Sequence, residues 1–179
     1  MELETKRLIL RPLQFSDEDD LLEFHSHPEV VRYIPWPERT RFQVREALEK
    51  AVANQAEVLV EDNDTMLLGW QLKESGKVIG QSNITLHSKI DQRAEIGYVT
   101  HQDFQRQGYA YEATTSLMNH AFSIYAIHRI IANIDTRAVH SGALARKLGM
   151  RLEGTFLKSK FFKGEWVDMW LYAILDEEI

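Results

Sequence analysis

Hydrophobic positions change their period several times along the chain, and each change marks an element. Leu3–Pro12 reads as a strand, because Leu8, Leu10 and Pro12 alternate with Arg7, Ile9 and Arg11. Ser16 then predicts a helix start. Asp17, Glu18, Asp19 and Asp20 load its first turn with the charge that the helix dipole favours, and Leu21, Leu22 and Phe24 supply an apolar face. Two prolines forbid regular structure across Tyr33-Ile34-Pro35-Trp36-Pro37. Helical spacing returns from Thr40 to Asn54, on Phe42, Val44, Ala47, Leu48, Ala51 and Val52. Thr65–Lys73 and Lys77–Leu86 are strands that flank a hairpin turn, Glu74-Ser75-Gly76, and Arg93–Thr100 extends the meander. Gly108–Tyr125 reads as a helix and His128–Asp135 as a short apolar strand. Ser141–Leu148 is a helix stopped by Gly149, the residue a left-handed cap prefers. Met150–Ser159 and Glu165–Leu175 close the chain as strands around Lys163-Gly164. The order β-α-α-β-β-β-α-β-α-β-β predicts one α+β layered domain over residues 1–179, with a mixed sheet.

Composition narrows the chemistry. With 44% hydrophobic and 27% charged residues, the 179-residue chain is an ordinary globular one. The absence of cysteine excludes disulfides, thiolate zinc sites, iron–sulfur ligation and a catalytic thiol, and fits a cytoplasmic protein. The longest apolar run, Met169–Leu175, is far short of the ~20 residues of a membrane helix, and Met1–Arg7 lacks the apolar core of a secretory signal. No membrane partner is expected. The net charge of −6 disfavours nucleic-acid phosphate. His25 and His27 raise the question of a metal, but no H-E-x-x-H pair accompanies them, and no metal site is expected.

The most informative stretch is Ala94-Glu95-Ile96-Gly97-Tyr98-Val99, followed by Gln105-Arg106-Gln107-Gly108-Tyr109-Ala110. A strand runs into a loop that opens a long helix. The first turn of a helix leaves N–H groups without partners, and with the dipole they form an anion site. Gly108 allows close approach to a phosphate, Ala110 keeps the helix start unobstructed, and Arg106 adds positive charge. Neither G-x-x-x-x-G-K-[ST] nor G-x-G-x-x-G occurs. Alone, these residues also fit an ordinary strand-to-helix turn.

Their order is more specific. Gln105-x-x-Gly108-x-Ala110 after an acidic strand resembles the pyrophosphate-binding motif of the GNAT superfamily of acyl-CoA N-acyltransferases. Ala94-Glu95-Ile96-Gly97-Tyr98 resembles the fourth strand of its RimJ/RimL-like branch, the ribosomal-protein N-terminal acetyltransferases. His128-Arg129-Ile130 and Arg146–Gly154 resemble that branch's next strand and helix, Thr5–Arg11 its opening strand, and Tyr33-Ile34-Pro35-Trp36 its early loop. The resemblance spans nearly the whole chain. It implies a three-layer domain whose mixed, mostly antiparallel sheet has a V-shaped split between strands 4 and 5, flanked by about four helices. Here those strands are Arg93–Thr100 and His128–Asp135.

The resemblance also implies a function. Acetyl-CoA would lie in the split, its pantetheine arm on Gly97, Tyr98 and Val99. Its pyrophosphate would rest on Gln105, Arg106, Gln107, Gly108, Tyr109 and Ala110. A primary amine would attack the thioester directly, with a protein or peptide N-terminus as the implied acceptor and a homodimer as the implied assembly. The alternatives are a polyamine or aminoglycoside acceptor, or a non-catalytic acyl-CoA-binding module. At pH 7, deprotonation costs about 1.4 kcal/mol for an α-amine and about 4.6 kcal/mol for a lysine, so a general base helps either.

Glu95 is the expected base, directly or through a water; a structural bond is its other reading. Ser141 is the expected donor to the CoA thiolate, or else a helix N-cap. Tyr98 and Tyr109 are further donor candidates. Trp36 and Phe161 are the expected acceptor contacts, with Phe162 and Trp166 beside Phe161; covering the core edge or a dimer contact is the other reading. His101, His128 and His140 flank the expected cleft, as proton relays or as surface residues. Two positions depart from the branch. Ala138 stands where relatives often carry Asn, and Lys160 stands where RimL-like enzymes offer a carboxylate.

Overall fold

The computed structural model describes residues 1–54, 56 and 58–179. Its strands are β1 (Leu3–Glu4), β2 (Leu8–Pro12), β3 (Thr65–Leu72), β4 (Val78–Ser88), β5 (Arg93–Thr100), β6 (Arg129–Asp135), β7 (Arg151–Phe162) and β8 (Glu165–Leu175). They form one eight-stranded sheet in the order β1-β2-β3-β4-β5-β6-β8-β7. All neighbours are antiparallel except β5 and β6. The helices are α1 (Glu18–His25), the single turn α2 (Pro28–Val31), α3 (Arg41–Asn54), α4 (Tyr109–Ile124) and α5 (Val139–Lys147).

The sheet divides the core into two. On one face, Leu8, Leu10, Met66, Leu68, Trp70, Ile84 and Ile96 belong to a cluster with Ala113, Leu117 and Ala121 of α4 and Ala145 of α5. On the other, Val78 and Val99 join Leu21 and Phe24 of α1 and Val44 and Leu48 of α3. Alternation along β5 produces this division. Ala94 and Ile96 face the first cluster, so Glu95, Gly97 and Val99 face the second. No helix among the described residues is long and apolar enough to cross a membrane.

Four sequence expectations change. The strand expected over 3–12 is two strands that fold back on each other, Leu3 opposite Leu10. Thr5 makes the reversal: its N–H donates to the Leu8 carbonyl at 2.9 Å, and its Oγ1 accepts the Leu8 N–H at 3.0 Å. A local side-chain bond thus replaces the continued strand. Ser16 does not cap α1. It lies in a 3-10 turn, Phe15–Asp17, and the N-cap is Asp17. The buried Asp17 carboxylate accepts the Gln14 N–H at 2.8 Å and two Arg11 guanidinium bonds of 2.8 Å each. The helical stripe on α3 is narrower than its sequence suggests, with Val44 and Leu48 buried but Phe42 and Val52 exposed. Ser141 is likewise not an N-cap. Helix α5 starts earlier, and Ala138 holds that position without a side-chain bond.

The expected split is present. Because the opening strand is two strands, it falls between β5 and β6. They pair only over Arg93–Glu95 and Arg129–Ile131. Beyond Glu95, β5 stays with β4 as far as Thr100, while β6 stays with β8 to Asp135. The sheet therefore forks, and Glu95 marks the apex.

Candidate active site

The loop that opens α4 presents a run of unpaired backbone N–H groups. Arg106 (φ 61°) and Gly108 (φ 84°) both adopt left-handed backbone, a conformation that gathers successive N–H groups into a concave nest. From Arg106 to Tyr111, no backbone N–H finds an acceptor among the described residues; the first helical bond is Glu112 N–H to the Gly108 carbonyl. Side chains hold the loop from outside. Gln105 Nε2 donates to the Thr100 carbonyl at 3.2 Å, and Gln107 Nε2 to the Asp103 carbonyl at 2.8 Å. Arg7 donates to the Gln107 carbonyl at 3.0 Å, and its guanidinium lies 3.9 Å from the centre of the Tyr109 ring. Glu112 fixes Arg7 through Nε at 2.7 Å and through its backbone N–H at 2.7 Å. Sequence reasoning missed Arg7, which lies about a hundred positions from the loop it braces.

Two contacts join the arms of the split. Tyr98 on β5 donates its O–H to the Ser141 carbonyl in α5 at 2.9 Å. Burial, with Tyr172 nearby, pushes this phenol up from its ordinary range, so it stays protonated. Farther out, Arg106 Nη2 meets His140 Nε2 at 3.0 Å. Ser141 thus sits in the first turn of α5, with its carbonyl held by the opposite arm.

At the apex, Glu95 Oε2 lies 2.9 Å from His87 Nε2. Both side chains are partly exposed. Sequence reasoning missed His87, although counting back from the β4–β5 hairpin would have found it: Thr85 stands opposite Glu95, and His87 follows on the same face. Beside Glu95 on that face, Gly97 stands opposite Asn83, and a Cβ on Gly97 would lie 2.7 Å from Asn83 Oδ1.

Asn83 also lines a cavity of about 250 Å³ between the sheet, α1, α3 and the loop around Trp36. Leu13, Leu21, Val44, Leu48 and Leu67 form its apolar walls, and His25, Arg39, Gln81 and Asn83 its polar part. Burial and the Arg39 charge bring the His25 pKa to about 4, so the ring is neutral. Trp36, an expected acceptor contact, lines this cavity. Phe161 does not. It is 61% exposed on the last hairpin, edge-on to Trp166. Lys160 has its Nζ 5.8 Å from the Phe162 ring centre.

The flanking histidines have separate partners. His101 is fully buried, with Nε2 on Glu23 at 2.9 Å and Nδ1 accepting the Asp103 N–H at 3.2 Å, and it serves the fold. His128 pairs with Asp176 at 3.0 Å, away from the split. Both His25 ring nitrogens have partners, Gln81 and Arg39. The described residues contain no group of three or more potential metal ligands.

Residues 7–151 match a family model described as an acetyltransferase (GNAT) domain. The uncharacterized N-acetyltransferase YnaD of Bacillus subtilis (strain 168) is 32% identical over 99% of both chains. A GNAT-family acetyltransferase structure from Bacillus anthracis superposes with a TM-score of 0.88 at 28% identity, covering 99% of this chain and 100% of that one. RimL, a ribosomal L7/L12 alpha-N-protein acetyltransferase solved with coenzyme A, has a TM-score of 0.84 at 19% identity over 98% of each chain, a likeness of fold.

Proposed function

Because the chain belongs to the GNAT acetyltransferase family and transfers an acetyl group from acetyl-CoA to an amine, we propose a RimJ/RimL-like reaction in which the acceptor is a protein or peptide α-amine, Glu95 is the general base and Ser141 assists the leaving thiolate. The position of Glu95 carries this reading: it is the last β5 residue paired with β6, on the face that holds the cavity. The nest from Arg106 to Ala110 supports binding of the CoA pyrophosphate, and the unpaired edges of β5 and β6 support binding of the pantetheine arm.

In this reaction the acceptor ammonium gives a proton to Glu95. The amine lone pair then attacks the thioester carbonyl carbon. A C–N bond forms and the C–S bond breaks. His87 Nε2 lies 2.9 Å from one carboxylate oxygen of Glu95, and the other oxygen is left for the amine or a bridging water. Ser141 Oγ–H gives its proton to the departing sulfur, which leaves as the CoA thiol, and the hydroxyl regains a proton from the nitrogen, which sheds its second one as the amide forms. Tyr98 fixes the turn that carries Ser141. A polycationic acceptor fits less well, because Arg39 puts a guanidinium in the cavity.

The test is thiol release from acetyl-CoA with N-terminal peptides, lysine peptides, spermidine and an aminoglycoside. The chain contributes no thiol background, having no cysteine. Peptide α-amines are expected to react fastest. Glu95→Gln should lower kcat by about 10²–10⁴-fold while CoA binding persists. Wild-type turnover in both Glu95→Gln and Ser141→Ala would remove these residues from the chemistry. Faster release with spermidine than with peptides would reverse the acceptor assignment.

A further inference from the structure

The cavity contains a charge that its protein neighbours do not answer. Arg39 Nη1 donates to His25 Nδ1 at 3.2 Å, and its guanidinium lies 4.6 Å from the centre of the Trp36 ring. His25 is neutral, and its Nε2–H donates to Gln81 Oε1 at 3.2 Å. Among the described residues, no carboxylate forms an ion pair with Arg39. Partial loss of solvent holds this guanidinium below its ordinary pKa. The contrast within the protein is Arg11, which is buried more deeply than the half-buried Arg39 and is met by both oxygens of Asp17. A second donor in the cavity wall is in the same condition: Trp36 Nε1 is buried without an acceptor.

A cation taken partly out of water gains when an anion arrives, and a guanidinium fork suits a carboxylate in particular. Most of the remaining wall is apolar, and the volume of about 250 Å³ lies just below that of typical ligand sites, which start at roughly 300 Å³, so it suits a small side chain. The cavity meets the reaction centre through Asn83, which lies against Gly97, two residues from Glu95 on the same face. An amine held at Glu95 therefore has its substituents directed along this face.

We propose that the acceptor carries a carboxylate that pairs with Arg39 while its apolar part fills the cavity. This rests on the reading of Glu95 as the base beside that cavity. The carboxylate is either the α-carboxylate of a free amino acid or the acidic side chain of a peptide N-terminus, and the two sources are separable.

The experiment uses the full chain saturated with CoA and calorimetric titration of three product-like probes. These are N-acetyl-leucine, its uncharged amide, and the amide of N-acetyl-aspartyl-leucine. At least one carboxylate probe is expected to bind about tenfold or more tightly than N-acetyl-leucinamide. Tighter binding of N-acetyl-leucine identifies the amino acid as the source; tighter binding of the aspartyl probe identifies the peptide. In Arg39→Gln the ratio of carboxylate to amide affinity should fall to about one, and in Arg39→Lys it should be partly kept. Equal binding of all three probes in the wild type overturns the proposal, whatever the variants do. So does a carboxylate preference that persists in a folded Arg39→Gln. Failure of the acetyl-transfer reading looks different: an Arg39-dependent carboxylate preference would remain, with no thiol released by any amine.

Discussion

Replacing Gly97 by alanine separates the site from the fold. The new Cβ would lie 2.7 Å from Asn83 Oδ1, 3.5 Å from its Cγ and 3.7 Å from its Nδ2, with nothing else among its nearest contacts. These are atoms of one partly exposed side chain, which can swing at a cost of about 0.5–1.5 kcal/mol. Removing glycine from a strand returns roughly 0.5–1 kcal/mol. The net change in stability is therefore within about 1 kcal/mol, or about 2–4 °C in melting temperature for a chain of this size. Gly80→Ala provides the contrast. Its Cβ would clash with two ring carbons of Trp70 and would meet the Val99 carbonyl at 2.7 Å. Trp70 is fully buried, with Nε1 on Ser82 Oγ at 3.0 Å, so neither neighbour yields and the loss should reach about 3 kcal/mol or more. Urea and thermal unfolding measure both variants. The displaced Asn83 side chain should raise the acceptor KM of Gly97→Ala several-fold, and the same substitution should add nothing in an Asn83→Ala background, since the two share one contact. If Gly97→Ala destabilises as much as Gly80→Ala, the Asn83 side chain is not free to yield. An unchanged acceptor KM would mean that the acceptor does not pass Asn83.

Two further predictions follow from single groups. His25 has a folded pKa of about 4 against an ordinary 6.5, so below pH 6.5 the unfolded chain binds the extra proton first. Its contribution is present above pH 6.5 and is lost as the pH falls toward 4, up to about 3 kcal/mol; His25→Gln should flatten that part of the stability–pH curve, and an unaltered slope would contradict the neutral buried ring. Gly108 has a φ of 84°, so Gly108→Ala should cost about 1–2 kcal/mol and raise the KM for acetyl-CoA but not for the acceptor. Equal changes in both KM values would argue against a phosphate-binding role for this loop.

Much of this architecture is local and legible in the sequence. Strand alternation from Thr65 to Thr100, the helix after Gly108 and the cap at Gly149 depend on neighbouring residues, and these elements lie within a few positions of expectation. The helix start at Gly108 is legible for the same reason, but the left-handed backbone at Arg106 that completes the nest is not, since a non-glycine residue gives no local signal for it. Thr5–Leu8 is not legible either. Its reversal is locked by Glu112, which accepts Thr5 Oγ1–H at 2.7 Å from the far side of the chain. Asp17 took the place assigned to Ser16 because Arg11, on the preceding strand, holds it.

From the sequence alone came the periodicities, the turns and the order of elements, since these express backbone preferences and the side to which each residue turns. Only the tertiary structure decided which distant groups meet: His87 with Glu95, Tyr98 with the Ser141 carbonyl, Arg39 with His25 and Trp36. Those meetings depend on strand register and on how α1 and α3 cover the sheet. Both are set by burying two apolar clusters at once, a condition on the whole chain that no local stretch encodes.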